Sequence, residues 1–220
     1  MSTITPVLPP IPAPDPGWVP SRLYRMTVEQ YEAMAASGAI PTSHRVHLIN
    51  GYLVEKVTHN PPHAVADELC GKALDRVAPR GWHVRADKPV RIPIPGRDSE
   101  PEPDRCVVRG KIADYDERHP GPGDVTLIVE IAASSLAEDH QLAVDVYGPA
   151  GIPSCWIVDV NARRVEVYTL AGPRGYGPPE FFGEGKSVPI VIRGRVVGRI
   201  AVKDILPPRR RRAKAEGNGA

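Results

Sequence analysis

The sequence predicts an α/β domain built on a mixed β-sheet, and two stretches carry the prediction. Val125 to Asp159, VTLIVEIAASSLAEDHQLAVDVYGPAGIPSCWIVD, is an apolar run, a helix-patterned segment and a second apolar run, the strand–helix–strand order that sets two strands parallel. Val46 to Val57, VHLINGYLVEKV, is two apolar runs around Asn50-Gly51, the dipeptide that most favours a two-residue hairpin and so an antiparallel pair. A sheet containing both kinds of pairing is mixed.

The elements follow in order. Residues 1–20, MSTITPVLPPIPAPDPGWVP, are proline-rich without apolar periodicity and read as a disordered arm. Thr27-Val28-Glu29-Gln30 has capping-box spacing; Val28, Tyr31 and Met34 recur at helical intervals, and Gly38 can end that helix. After the hairpin, Pro61 and Pro62 suit a helix start. Ala66, Leu69, Ala73 and Val77 then make one apolar face before Pro79 and Gly81. WHVRA and PVRIPI read as two short strands, and Pro103-Asp104 leads into the apolar strand Cys106-Val107-Val108. Arg109 to Asp124 is a polar loop with one helical turn, punctuated by Pro120-Gly121-Pro122-Gly123. Ser135 to Glu138 again has capping-box spacing, for a helix running to about Tyr147. Cys155 to Val158 is a buried strand, and Val165 and Val167 alternate with polar residues as on a half-exposed one. Gly172 to Pro179 is loop, and strands near Val188 to Ile192 and Val196 to Val202 close the domain. The organisation predicted is an arm over 1–20, one domain over 21–206 and a basic, disordered tail over 207–220.

With 220 residues the chain can bury a real core. A net charge of +2 excludes a polycation that coats nucleic acid by bulk charge, although charge can still be concentrated locally. Cys70, Cys106 and Cys155 are odd in number and widely spaced, unsuited to a zinc site or redox dithiol, and read as buried thiols in a reducing cytoplasm. The first twenty residues make a poor signal peptide, and no segment reaches the length of a membrane-spanning helix.

Two acids are placed unlike the others. Asp104 stands at the head of one strand, and Glu130 lies inside the apolar run Leu127-Ile128-Val129-Glu130-Ile131, where an ionised carboxylate is costly without a compensating partner or metal. If these strands are neighbours, the two carboxylates converge on one divalent cation such as magnesium, able to activate water and stabilise a phosphoryl transition state. The structural alternatives are a strand-end turn for Asp104 and an ion pair for Glu130. Ser134 and Ser135 lack the G-x-S-x-G pattern of a nucleophile elbow.

Taken together and in order, HLINGYLVEKV, NPPHAVADEL, GWHVRADKPVRI, SEPEPDRCVVRG and VEIAASSLAEDHQLAVDVYGPAGIPSCWIVD resemble the Uma-type restriction-endonuclease family of the PD-(D/E)xK nuclease superfamily. The resemblance covers about residues 24 to 205. It implies a restriction endonuclease-like mixed β-sheet flanked by helices, and metal-dependent cleavage of phosphodiester bonds. Carried over by position, the family's aspartate and strand glutamate fall on Asp104 and Glu130, the implied metal ligands and catalytic acids. The acid of its first strand falls on His47, and its helix lysine falls on Ala143. The alternative lysine place, two residues after the glutamate, is Ala132. His63 coincides with a histidine common in the family and is a candidate phosphate contact, while His140, one turn before Ala143, is a candidate for the missing proton-handling group.

The function implied is a DNA endonuclease using Mg2+ or Mn2+ and acting in the cytoplasm, with DNA as partner and a homodimer suited to cutting two strands. Arg209 and Arg210 open a basic run that can hold phosphates through salt-sensitive contacts. The alternative, motivated by His47, Ala132 and Ala143, is a catalytically inactive nuclease-fold protein that binds nucleic acid or a protein partner. A third reading is a metal-binding module in which His47 joins the two acids.

Overall fold

A computed structural model describes residues 23–40, 45–56 and 60–209. The proline-rich arm, and the basic tail from Arg210 onward, lie outside the described residues.

The first helix, α1 (Val28–Ala36), forms as its capping box predicts: Thr27 Oγ1 accepts from Gln30 N, and the Gln30 side chain accepts from Thr27 N at 3.0 Å. Each bond satisfies a donor that the helix start leaves open. The hairpin of β1 (Val46–Ile49) and β2 (Tyr52–Glu55) turns at Asn50 and Gly51, with φ of 49° and 84°. These are the left-handed values that a type I′ turn requires. A Cβ on Gly51 would also lie 2.6 Å from Arg25 Cβ. The hairpin forms its own two-stranded sheet rather than joining the main one.

Helix α2 (Pro61–Val77) starts behind Asn60, whose side chain accepts from His63 N. Its buried stripe is Ala66, Cys70, Ala73 and Leu74, with Val77 only half-buried. The apolar face is therefore rotated toward Cys70 and Leu74 relative to the face expected from the sequence. The main sheet contains β3 (Trp82–Ala86), β4 (Arg105–Arg109), β5 (Val125–Ala132), β6 (Ser154–Asp159), β7 (Arg164–Gly172) and β8 (Gly175–Tyr176) in that spatial order, with β9 (Glu180–Gly183) also on β7. Strands β5 and β6 are parallel, and the other pairs are antiparallel. The mixed sheet is as predicted. A second hairpin, β10 (Ser187–Ile192) with β11 (Arg195–Ala201), packs on α2, where a Cβ on Gly198 would fall 1.9 Å from Val77 Cγ1.

Along β5 the side chains alternate between two cores. Leu127, Val129 and Ile131 face α2 and the β10–β11 hairpin. Ile128 and Ala132 face the connection from β5 to β6. That connection begins as α3 (Leu136–Leu142) and widens into a π-helical turn at Ala143–Tyr147, closed by Gly148 N bonding to Ala143 O at 3.0 Å.

Four local expectations are corrected. The PVRIPI segment is not a paired strand: Ile92 makes one isolated bridge with Ser99, and Pro89 and Pro93 remove ladder donors. Ser135 precedes α3 but makes no side-chain cap, because φ −108° and ψ 16° are not extended cap geometry, and its hydroxyl donates to Asp139 Oδ2 instead. The first half of β7 is buried on both faces, with Glu166 2% exposed. Strands β8 and β9 were not expected: β8 lies inside the segment read as loop, and β9 covers the outer edge of β7.

Candidate active site

Register delivers the two acids to each other. Strands β4 and β5 pair with Arg105 opposite Val129, so one step further Asp104 meets Glu130. Each then bonds the other's strand. Asp104 N donates to Glu130 Oε2 at 3.2 Å, and Ile131 N donates to Asp104 Oδ2 at 2.7 Å. Both carboxylates are buried, at 5% exposure each. The ion pair of Arg105 with Asp67, with both N–O distances at 2.6 Å, ties α2 to this end of β4.

Four further elements close around the pair. From α2, His63 Nε2 lies 3.0 Å from Asp104 Oδ2. From the π-helical turn, Tyr147 donates its phenol hydrogen to Glu130 Oε1 at 2.6 Å. From α3, Asp139 is buried and held by Ser135. The β1–β2 hairpin contributes His47 and, just past its end, Lys56, whose Nζ is 3.8 Å from Asp104 Oδ1. All of these line one cavity of about 310 Å³, whose walls also include Val54, Leu142 and Val146.

The electrostatics are those of acids crowded out of water. Burial first, then the charges of Asp104 and Asp139, push the Glu130 carboxyl well above its usual range, opposing the bonds from Tyr147 and Asp104 N. Burial, reinforced by Asp104, raises Asp139 to about 7. His47 moves the other way, to about 4, through burial and then the positive charges of Lys56 and Arg45. It is a neutral imidazole at pH 7, and its Nδ1 has no hydrogen-bond partner among the described residues.

As a cation site the donor set is two carboxylates. Among the described residues no three His, Cys, Asp or Glu side chains are grouped to cage a metal ion, so His47 does not complete a three-ligand set with the acids. Two carboxylates do fit magnesium, which keeps most of its water and needs only one or two from the protein. The crowding that raises Glu130 is also what a divalent cation would relieve.

Of the residues singled out from sequence, Asp104, Glu130, His47 and His63 come together in this cavity. Ala132 and Ala143 are fully buried and are not part of its lining. His140 is not part of the cavity lining and turns to β7, with Nε2 2.8 Å from Glu166 Oε2. Arg209 bonds Glu184 at 2.6 Å, beside Arg163 and outside the cavity, and Arg210 lies outside the described residues. Sequence reasoning missed Lys56, Asp139 and Tyr147. Tyr147 carried a legible signal: with Ala143 it is one turn apart on the helix following Glu130. Lys56 carried none, because its approach depends on how the separate hairpin docks.

Comparisons with known proteins bear on the family and the fold. A family model described as "Uma2: Putative restriction endonuclease" matches residues 28–198. The fold is also that of the crystal structure of "a putative nuclease belonging to DUF820" from Anabaena variabilis ATCC 29413. The two share 16% identity with a TM-score of 0.59, over 82% of this chain and 97% of that chain. No curated protein matches the chain.

Proposed function

The chain belongs to the Uma2 family of restriction endonuclease-like proteins, and from that membership we propose that it hydrolyses DNA phosphodiester bonds with a divalent cation, Mg2+ or Mn2+, held by Asp104 and Glu130. One observation carries the reading: the two buried carboxylates are each braced by a backbone N–H of the other's strand, at 3.2 and 2.7 Å, and both line one cavity. A structural ion pair would put a cationic side chain against Glu130. Its partners here are a phenol and an amide, which orient the carboxylate without neutralising it.

The cation would lower the pKa of a bound water and offset charge on the phosphoryl oxygens. The chain's residues do the rest. Asp104 and Glu130 hold fixed positions on adjacent strands. Tyr147 fixes the Glu130 rotamer, and His63 fixes Asp104. In the reaction a water oxygen forms the new bond to phosphorus and the bond from phosphorus to one sugar oxygen breaks. That oxygen leaves with the electron pair and gains a proton, while the water loses one, so phosphodiester and water give phosphomonoester and alcohol.

The test is plasmid cleavage with Mg2+ or Mn2+ by the native protein beside Asp104→Ala and Glu130→Ala. Cleavage that disappears in both variants supports the proposal. Equal cleavage by all three, or none by any, refutes it.

A second reading has its own observation: neither Ala132 nor Ala143 supplies the lysine that the family places there, and both are sealed in the core. On that reading the protein binds nucleic acid without cutting it. The DNA contact would extend to Arg209 and Arg210, and deleting residues 207–220 would lower affinity and its salt dependence; unchanged binding would refute the tail's part. Two copies acting together would cut two strands, which sedimentation with and without a DNA duplex would reveal. The three free, buried cysteines suit a reducing cytoplasm.

A further inference from the structure

The geometry points to Lys56 as the residue that supplies the positive charge missing from Ala132 and Ala143; this inference rests on the nuclease reading above. Lys56 is the only lysine or arginine among the described residues that line the cavity. Its side chain is 13% exposed, and Nζ stands 3.8 Å from Asp104 Oδ1. Two fixed acceptors hold it there: Asp87 Oδ1 and the Glu102 carbonyl, each at 2.8 Å. Glu102 sits two residues before Asp104, so the segment that presents the aspartate also anchors the ammonium.

A surface lysine that merely pairs with Asp87 would not need this placement. Exposed pairs are weak and their side chains remain mobile, whereas Lys56 is drawn inward beside a buried carboxylate and a backbone carbonyl. An ammonium has three donors, and two are engaged by Asp87 and Glu102. Among the described residues the third has no acceptor within hydrogen-bond distance, Asp104 Oδ1 standing at 3.8 Å, and a phosphoryl oxygen entering the cavity beside Asp104 can take it. The cavity otherwise presents Glu55, Glu102, Asp104, Glu130, Glu138 and Asp139, a wall that repels a phosphate. One fixed cation beside Asp104 gives the phosphate a place to dock.

The position also suits the chemistry. Lys56 transfers no proton in the step written above; it donates a hydrogen bond to a non-bridging phosphoryl oxygen as negative charge gathers there. Removing one such preorganised donor typically lowers kcat by about 100- to 1000-fold. The lysine thus approaches from the hairpin, not from the helix or from the strand carrying Glu130. The same catalytic point is reached from a different element.

The experiment compares cleavage by the native chain, Lys56→Met, Lys56→Arg and Asp87→Asn under Mg2+ and Mn2+, with the urea midpoint of each variant measured alongside. Expected are a loss of about 100-fold or more in kcat for Lys56→Met, partial recovery in Lys56→Arg, and a much smaller loss in Asp87→Asn. If Lys56→Met cleaves as well as the native chain, the inference falls while the nuclease reading stands. If Asp87→Asn costs as much activity as Lys56→Met, Lys56 is a strut for Asp87 and the inference also falls. If the native chain does not cleave, the nuclease reading itself fails and takes this one with it.

Discussion

Asp139→Asn should stabilise the metal-free protein at alkaline pH and leave it unchanged in acid. Asp139 is 7% exposed, and burial raises its pKa from 3.8 to about 7. A carboxyl raised in the folded state binds its proton more tightly there than in the unfolded chain. Its contribution to stability is therefore fully present below about pH 4 and is lost as pH rises through 7. The shift of about three pKa units corresponds to about 4 kcal/mol. Asparagine carries no charge at any of these pH values and keeps an oxygen to accept from Ser135, which donates to Asp139 Oδ2 at 2.8 Å. Removing the Asp139 charge also eases ionisation of Glu130, which adds in the same direction. The assay is urea unfolding in EDTA at pH 4.5 and pH 8, followed by the fluorescence of buried Trp156. The variant should gain about 2–4 kcal/mol on the native protein between the two pH values. A gap that stays constant with pH, or a variant less stable at pH 8, would refute the account of a strained acid cluster.

Three other perturbations have outcomes fixed by the structure. Tyr147→Phe removes the 2.6 Å bond to Glu130 Oε1 and should lower cleavage at least about tenfold while costing about 1–3 kcal/mol of stability, read by plasmid nicking and urea unfolding. Gly198→Ala sets a Cβ 1.9 Å from Val77 Cγ1, so β11 must shift off α2; a loss of about 1–3 kcal/mol is expected in thermal unfolding, without a change in metal affinity. His47→Asn tests the opposite sign: His47 is lowered to about 4, so the stability it contributes is present above pH 6.5 and lost as pH falls through 4. The substitution should remove about 3 kcal/mol of acid sensitivity between pH 7 and 4, measured by urea midpoints.

Much of this architecture was legible because local rules and the global fold agree. Asn50-Gly51 admits few conformations besides the hairpin it makes, and the apolar runs of β5 and β6 can be buried only in the centre of a sheet. Asp104 and Glu130 were readable as a pair because a buried strand gives a lone carboxylate few uses. What stayed hidden depended on docking. Whether Lys56 points into solvent or into the cavity is decided by where a four-residue hairpin strand settles, and sequence periodicity is silent on that. Asp139 stands in the first turn of α3, where a helix N-terminus favours an acid whatever its surroundings. Its burial in the cavity wall follows from how α3 packs on the sheet, beside Ser135. Ala143, on which the resemblance places the family's lysine, is a buried packing position.

The bonds around Glu130 show which form of it the fold is built to hold. Tyr147 and Asp104 N donate to both of its oxygens, an arrangement suited to a carboxylate rather than a carboxylic acid, yet burial and two neighbouring acids favour the proton. A cation held by Asp104 and Glu130, as proposed above, would resolve that conflict. Such binding would release protons, because Glu130 would pass from acid to carboxylate. Titration of Mn2+ into the protein at pH 6, repeated in buffers of different ionisation enthalpy, should register release of about one proton or more per cation. At pH 8.5 Asp139, near 7, is already ionised, so the number should drop. Glu130→Gln should abolish tight binding and proton release together. Mn2+ binding without proton release at pH 6 would mean that the cation binds away from these acids, and the buried charge that marks β5 would have to be explained without a metal.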